Sequence, residues 1–338
     1  MGICAKPAQT NILLSDANGV VTRLVHGEHD KKSLITIAVP TYNRPHLLKE
    51  ALKSAIKQNG DHHYEIVVVD NSGYCDDRAL NIIKEFNKNN IILYRNDKNV
   101  GMFENWNRIL NLVKTDWLTI LNDDDLLHPE YLNFMVQYLH NDKYKMVACQ
   151  VEALDERLIT NTVYLKIIKY YKEKWLHRKN DIILTGKDYF LQNWHYGSLG
   201  IIFRKKDAIS HGGFKASIYP AADYELISSM AIDSNVLLSH RVLAKYRIHS
   251  NESLKIEVQQ KFIAQNEAVR KLIAKKLSGA EFVKQLYIYI LRERDKLLIP
   301  VMWNNNSNYS LRVKVKTLFV LAIWLMGYIV AKISLKNN

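Results

Sequence analysis

Three carboxylates in a row, Asp123-Asp124-Asp125, stand directly behind the apolar run Trp117–Leu121 and ahead of Leu126-Leu127-His128-Pro129. Adjacent carboxylates repel unless a cation neutralises them. An oxygen-only donor set is what a hard divalent ion such as Mg2+ or Mn2+ prefers, with phosphate oxygens and water completing its shell. The plainer alternative is that one Asp caps a helix opening at Pro129 while the others face solvent. An EF-hand is excluded, because its loop needs a glycine at the sixth position and a later Glu. Gly197-Ser198-Leu199-Gly200 and His211-Gly212-Gly213-Phe214 lack the spacing of a phosphate-binding loop or a dinucleotide fingerprint. An ATPase or an NAD-dependent dehydrogenase is therefore not expected.

The elements that must position these carboxylates follow from periodicity. Short apolar, β-branched runs at 34–40, 64–70, 91–96, 117–121 and 145–150 read as buried strands. Between them, apolar residues at helical spacing predict helices over 45–58, 79–89, 102–113 and 129–140, two of them opening on Pro45 and Pro129. Such alternation predicts right-handed βαβ units and a parallel sheet covered on both faces. Ligands then bind beyond the carboxyl ends of the strands. Pro40-Thr41-Tyr42-Asn43-Arg44, Asp70-Asn71-Ser72 and Asn122–Asp125 all fall at that rim.

The second half is less regular. Residues 155–195 read as helix and loop, 201–205 and 236–249 as strand material, and 255–276 and 281–298 as helices with basic faces. Residues 1–33 read as an extension or an irregular edge. Trp194, His195 and Tyr196 offer an aromatic stacking surface for a ligand, or simply core.

The 338 residues carry a formal charge of +13, with 48% hydrophobic and 24% charged residues, the composition of a globular chain. Three cysteines are too few for a disulfide framework, which points to a reducing compartment. No apolar leader of a secretion signal is evident, so a cytoplasmic location is expected. After Asp295 no acidic residue follows, while Lys296, Arg312, Lys314, Lys316, Lys332 and Lys336 do. Among them, residues 317–331 are uncharged. As a helix they reach roughly 22 Å, short of a bilayer's roughly 30 Å hydrocarbon core. The expectation is a peripheral anchor at the cytoplasmic face of a membrane, with a buried helix as the alternative. Nucleic acid is not expected as a partner, because no recognition motif accompanies the charge.

The ordered set Val39–Arg44, Val67–Ser72, Asn99–Gly101, Leu121–Pro129, Gly212–Phe214, Ala222–Leu226 and Tyr246–His249 resembles glycosyltransferase family 2. The resemblance implies an α/β, glycosyltransferase-A type fold: a Rossmann-like, mostly parallel sheet covered by helices, with a C-terminal helical region. It covers residues 34–250 as a catalytic domain, leaving an N-terminal extension (1–33) and the region 251–338, which its own basic and apolar pattern marks as helical and membrane-associating. It further implies an inverting, metal-dependent enzyme that moves a sugar from a nucleotide-sugar donor to an acceptor hydroxyl. The acceptor would be a glycan or a lipid-linked species of surface polysaccharide or oligosaccharide assembly.

By the same resemblance, Pro40, Tyr42 and Arg44 line the nucleotide pocket, Asp70 accepts a hydrogen bond from the base, and Asn99 lies in the donor site. Asp123 faces the ribose or the metal's water shell, while Asp124 and His249 attend the Mn2+ or Mg2+ ion. Asp223 is the catalytic base, with Glu225 two residues on as its rival. Asn122 and Ala222 stand where the family usually has acids. They leave open a second reading, a nucleotide-sugar- or glycan-binding protein without catalysis.

Overall fold

The computed structural model describes residues 12–15, 19–74, 76–140, 142–157, 180–195, 197–249, 251–303 and 311–337. The first half runs β1 (Ile12–Ser15), β2 (Val21–His26), β3 (Ile35–Thr41), α1 (Pro45–Ile56), β4 (Tyr64–Asp70), α2 (Arg78–Phe86), β5 (Ile91–Asn96), α3 (Met102–Leu112), β6 (Trp117–Ile120), β7 (Leu126–Leu127), α4 (Tyr131–Met135) and β8 (Tyr144–Asp155). It continues with β9 (Ile182–Leu184), α5 (Gly186–Leu191), β10 (Ile201–Arg204), α6 (Lys205–Ser210), α7 (Ala222–Asp233) and β11 (Asn235–Ile248). Then come α8 (Ile256–Ala274), β12 (Leu277–Ser278), α9 (Glu281–Trp303), α10 (Leu311–Ser334) and β13 (Lys336–Asn337).

The chain divides into two compact units. The first comprises Met1–Ala153, His195–Phe214 and Arg241–Arg247. Its centre is the expected parallel sheet, with β5-β4-β3-β6 side by side and in parallel. Every residue of β3 is buried, as a strand covered on both faces requires. From β3 the chain moves outward to β4 and then β5 on one side, and the next parallel connection crosses back from β5 to lay β6 on the other side of β3. The gap between β3 and β6 is thus a topological switch point, where open α/β sheets bind ligands.

Antiparallel strands extend this core: β2 and β1 beyond β5, and β10 and β8 beyond β6. The segment read as an extension or irregular edge thus supplies two strands, β1 at the sheet's edge and β2 between it and β5. Helix α1 opens on Pro45 and buries Leu48, Ala51, Leu52 and Ala55. Helix α3 packs on β3 and β4 through a face that includes Trp106 and Ile109, and starts after Gly101 at φ +85°, a left-handed value that suits glycine.

Several boundaries differ from the periodicity, three of them in ways that bear on the site or the tail. The helix expected over 129–140 is a five-residue α-turn, Tyr131–Met135, followed by a 3-10 turn, Val136–Tyr138. The strand expected over 145–150 runs on to Asp155, and the last helix extends from the expected 317–331 to Leu311–Ser334. Local pattern marks where apolar residues start and stop, whereas strand pairing and helix packing carry an element past that point.

The second unit comprises Leu154–Trp194, Lys215–His240 and Ile248–Asn338. Helices α5, α7 and α8 pack on one another, α8 packs on α9, and α9 on α10. Tyr224 donates its hydroxyl to the Tyr189 carbonyl (2.6 Å), and Tyr287 to that of Leu191 (2.8 Å). Arg270 and Asp295, both buried, pair at 2.7 Å. Burial disfavours the Asp295 charge, but Arg270 and Arg294 outweigh it and hold the carboxyl below its ordinary range. Of the segment read as helix and loop, residues 158–179 lie outside the described residues. Among the described residues, no helix is long and apolar enough to cross a membrane.

Candidate active site

At the switch point β3 ends on Thr41 and β6 leads into the acidic triplet. The three carboxylates are all buried, at 6%, 8% and 0% exposure, so none faces solvent as the plainer reading required. None caps α4 either, whose N-cap position is held by Glu130 without a side-chain bond.

Each carboxylate has its own surroundings. Asp123 Oδ2 accepts from the Thr41 hydroxyl (2.8 Å) and the Tyr42 amide (3.4 Å), and Arg44 lies 3.4 Å from its other oxygen. Asp124 Oδ2 meets the same guanidinium at 3.0 Å. Asp125 turns inward, accepting from the Arg247 amide and the Asn122 side chain, both at 3.0 Å. Burial first, then the neighbouring Asp124 charge, push Asp123 up to about 6 against the pull of Arg44. The same two causes push Asp125 well above the ordinary carboxylate range.

Arg247 completes the frame: its Nε donates to the Asp124 carbonyl (2.9 Å) and its guanidinium pairs with Glu50. Asp125 therefore shapes the loop, while Asp123 and Asp124 share the Arg44 guanidinium.

The neighbouring turn carries Asp70. Burial raises its pKa, opposed by hydrogen bonds from Ser72 and by Arg95, whose Nε lies 3.3 Å away. Asn99 is tied to this turn by Asn71, which donates to its side-chain oxygen (2.7 Å) and accepts from the Val100 amide (3.0 Å). Behind Asn71, the Asn96 side chain donates to both Asn71 (2.9 Å) and Asn105 (2.7 Å), and Asn105 donates to the Val69 carbonyl (3.0 Å). This buried amide chain fixes the 99–101 loop against the end of β4. Beside the turn, an open cleft of about 750 Å3 lies between Ser72, Tyr74, Asp77 and Arg78, a volume in the range of small-ligand sites.

The structure thus brings Tyr42, Arg44, Asp123 and Asp124 together. Asp70 and Asn99 join them through the Asn43 amide, which donates to Ser72 (3.1 Å). Pro40 is buried within β3, in register with Val69. Sequence reasoning missed Thr41 as a ligand of Asp123, the frame residue Arg247 and the Asn71–Asn96–Asn105 chain. Polar side chains at the ends of otherwise apolar runs were the available signal.

In the second unit, Asp223 sits in the first turn of α7, half-buried, and accepts from the Tyr224 amide at 2.7 Å. Burial pushes it up to about 6, against the pull of backbone amides. Its rival Glu225 is buried and paired with Lys215 at 2.6 Å. His249 follows β11, half-buried, its amide bonded to Asn251 at 2.7 Å. Trp194 is buried and its indole N–H donates to the Asp188 carbonyl (3.0 Å), so it serves the core of this unit. Burial drives the His195 imidazole down to about 3, and Tyr196 lies outside the described residues.

Among the described residues, no group of three or more His, Cys, Asp and Glu side chains gathers as a metal cage. A hard divalent ion held with substrate phosphates needs only one or two carboxylates. Asp124 and Asp123 offer an oxygen pair of that kind, and the two carboxylates share one guanidinium, that of Arg44.

The family model of glycosyl transferase family 2 matches residues 36–209. An uncharacterized glycosyltransferase of Methanocaldococcus jannaschii is 27% identical over 232 residues, 67% of this chain and 74% of the relative. Among solved structures, S. aureus TarS 1–349 in complex with UDP-GlcNAc is similar with a TM-score of 0.59 at 15% identity, covering 87% of this chain and 81% of that one. The mannosyltransferase PcManGT of Pyrobaculum calidifontis, in complex with GDP-Man and Mn2+, has a TM-score of 0.55 at 15% identity, with 89% and 86% covered.

Proposed function

This chain belongs to glycosyltransferase family 2, and from that premise we propose an inverting, metal-dependent enzyme that moves a sugar from a nucleotide-sugar donor to an acceptor hydroxyl. The observation that carries this is the buried Asp123–Asp124 pair beside Arg44 at the switch point of the sheet. UDP-GlcNAc in TarS, and GDP-Man with Mn2+ in PcManGT, support a nucleotide-sugar donor and a divalent ion for this chain.

Asp124, with His249, would hold Mn2+ or Mg2+, which when bound offsets charge on the departing diphosphate. Asp70 accepts a hydrogen bond from the base and Asp123 from the ribose, while Tyr42 and Arg44 border the nucleotide and Asn99 the donor site. In the transfer, the acceptor oxygen bonds to the anomeric carbon as that carbon's bond to the diphosphate oxygen breaks. The hydroxyl proton passes to the Asp223 carboxylate, and the nucleoside diphosphate leaves. Glu225, already paired with Lys215, is the poorer base.

The acceptor is a glycan or lipid-linked species of surface polysaccharide or oligosaccharide assembly, met by a cytoplasmic, peripheral protein at the cytoplasmic face of a membrane. The catalytic domain of this reading spans 34–250, between the 1–33 extension and the 251–338 membrane-associating region. The test is a panel of nucleotide sugars with Mn2+ or Mg2+, scoring donor turnover. Asp223→Asn is expected to lower transfer about 10²–10⁴-fold while still binding donor. In the native protein transfer is expected to fall as pH drops through about 6, because a protonated Asp223 takes no proton. Full activity of the variant removes Asp223 from its role. A second reading, donor binding without catalysis, is favoured by Ala222, which is buried and offers no acid beside Asp223. Donor binding with no turnover across acceptors supports it.

A further inference from the structure

Helix α10 has two unlike faces. On one, Tyr328 and Ala331 are buried, and the Arg294 guanidinium of α9 lies 5.2 Å over the Trp324 ring. There Gly327 allows close approach: a Cβ would come within 2.9 Å of Ile290. On the other face, Phe319, Leu325, Met326, Ile329, Val330 and Ile333 stand 47–76% exposed. Positions 319, 326, 330 and 333 return at helical spacing, so they form one stripe, about 21 Å long at 1.5 Å per residue. A contiguous apolar surface of this size marks an interaction site.

The charges around the stripe select its partner. Lys316 precedes it, Lys332 lies beside its last turn and Lys336 follows it, all exposed, and no acidic residue follows Asp295 anywhere in the chain. A stripe shorter than a hydrocarbon core of roughly 30 Å, on a helix not apolar enough to cross one, suits a helix lying in the interface plane, apolar side down and lysines at the headgroups.

We propose that this outer face of α10 docks in the plane of an anionic lipid bilayer, with Phe319, Met326, Ile329 and Ile333 at the acyl boundary and Lys316, Lys332 and Lys336 at the headgroup phosphates. The inference rests on, and deepens, the reading of a membrane-presented acceptor.

The test is co-sedimentation of the full chain with phosphatidylcholine vesicles, with and without phosphatidylglycerol, for the native protein and a Met326→Glu/Ile333→Glu variant. The native protein is expected to sediment with the anionic vesicles only, and raised salt to release it. The variant is expected to partition roughly tenfold less or weaker, with unchanged melting temperature and unchanged donor turnover. Equal sedimentation of both proteins overturns the proposal, as does equal binding to neutral vesicles. A native dimer by light scattering that the variant converts to monomer, without vesicle binding, assigns the face to a second copy instead. Loss of donor turnover in both proteins, with vesicle binding intact, counts against the enzymatic reading alone.

Discussion

Strands β3 and β4 carry a threonine opposite an acid at both ends, Thr36 with Glu65 and Thr41 with Asp70, in one continuous parallel register. The two ends use the same residue types in opposite ways. At the amino end everything closes inward: the Thr36 hydroxyl bonds Glu65 (2.8 Å) and Thr115 (2.7 Å), and the His29 Nδ1 lies 3.0 Å from both Glu65 oxygens. The Tyr94 hydroxyl meets the other nitrogen of that ring at 2.6 Å. At the carboxyl end Thr41 reaches past Asp70 to Asp123 in the loop after β6, and both Asp70 and Asp123 are raised by burial. One end spends its polar groups on holding the sheet together. The other gathers three buried carboxylates, Asp70, Asp123 and Asp124, around two guanidinium groups, Arg95 and Arg44, and carboxylates raised by burial, as Asp70 and Asp123 are, mark candidate functional sites.

Removing a carboxylate at each end breaks the comparison most directly. Glu65→Ala is expected to destabilise the fold by roughly 3–4 kcal/mol, since it opens a cavity and strands buried donors. Thermal unfolding checks this, with donor affinity of the folded protein unchanged. At the rim the sign reverses. Asp123 in the fold holds its proton up to about 6, so its stabilising contribution is present in acid and lost as pH rises through that value. Asp123→Asn, which mimics the neutral form, is expected to stabilise the protein near neutral pH by about 1–3 kcal/mol, an advantage that vanishes toward about pH 4. Melting curves across pH measure it. Destabilisation at neutral pH makes the rim carboxylate structural, like Glu65.

The parallel core was legible in the sequence because strands buried on both faces are continuous apolar runs; β3, β4 and β5 end on polar residues, and β6 is followed within two residues by Asn122. The acidic triplet was legible as a site for the same reason. Its division of labour was not, because which of the three turns inward depends on Arg247, more than a hundred residues away, docking beside Asp125. The Asn71–Asn96–Asn105 chain was hidden likewise, since its bonds link a strand end, a loop and a helix. Residues 317–331 are apolar all round, so only packing against α9 reveals which face of α10 stays exposed.

The central claim is that Asp124 and a nucleotide's phosphates share one divalent ion. Electron paramagnetic resonance of Mn2+, titrated into the protein with and without nucleoside diphosphate, reads this directly. The account predicts strong uptake that requires the nucleotide and is lost in Asp124→Ala, with the fold intact by circular dichroism. Uptake that is the same in the native protein and Asp124→Ala would contradict it.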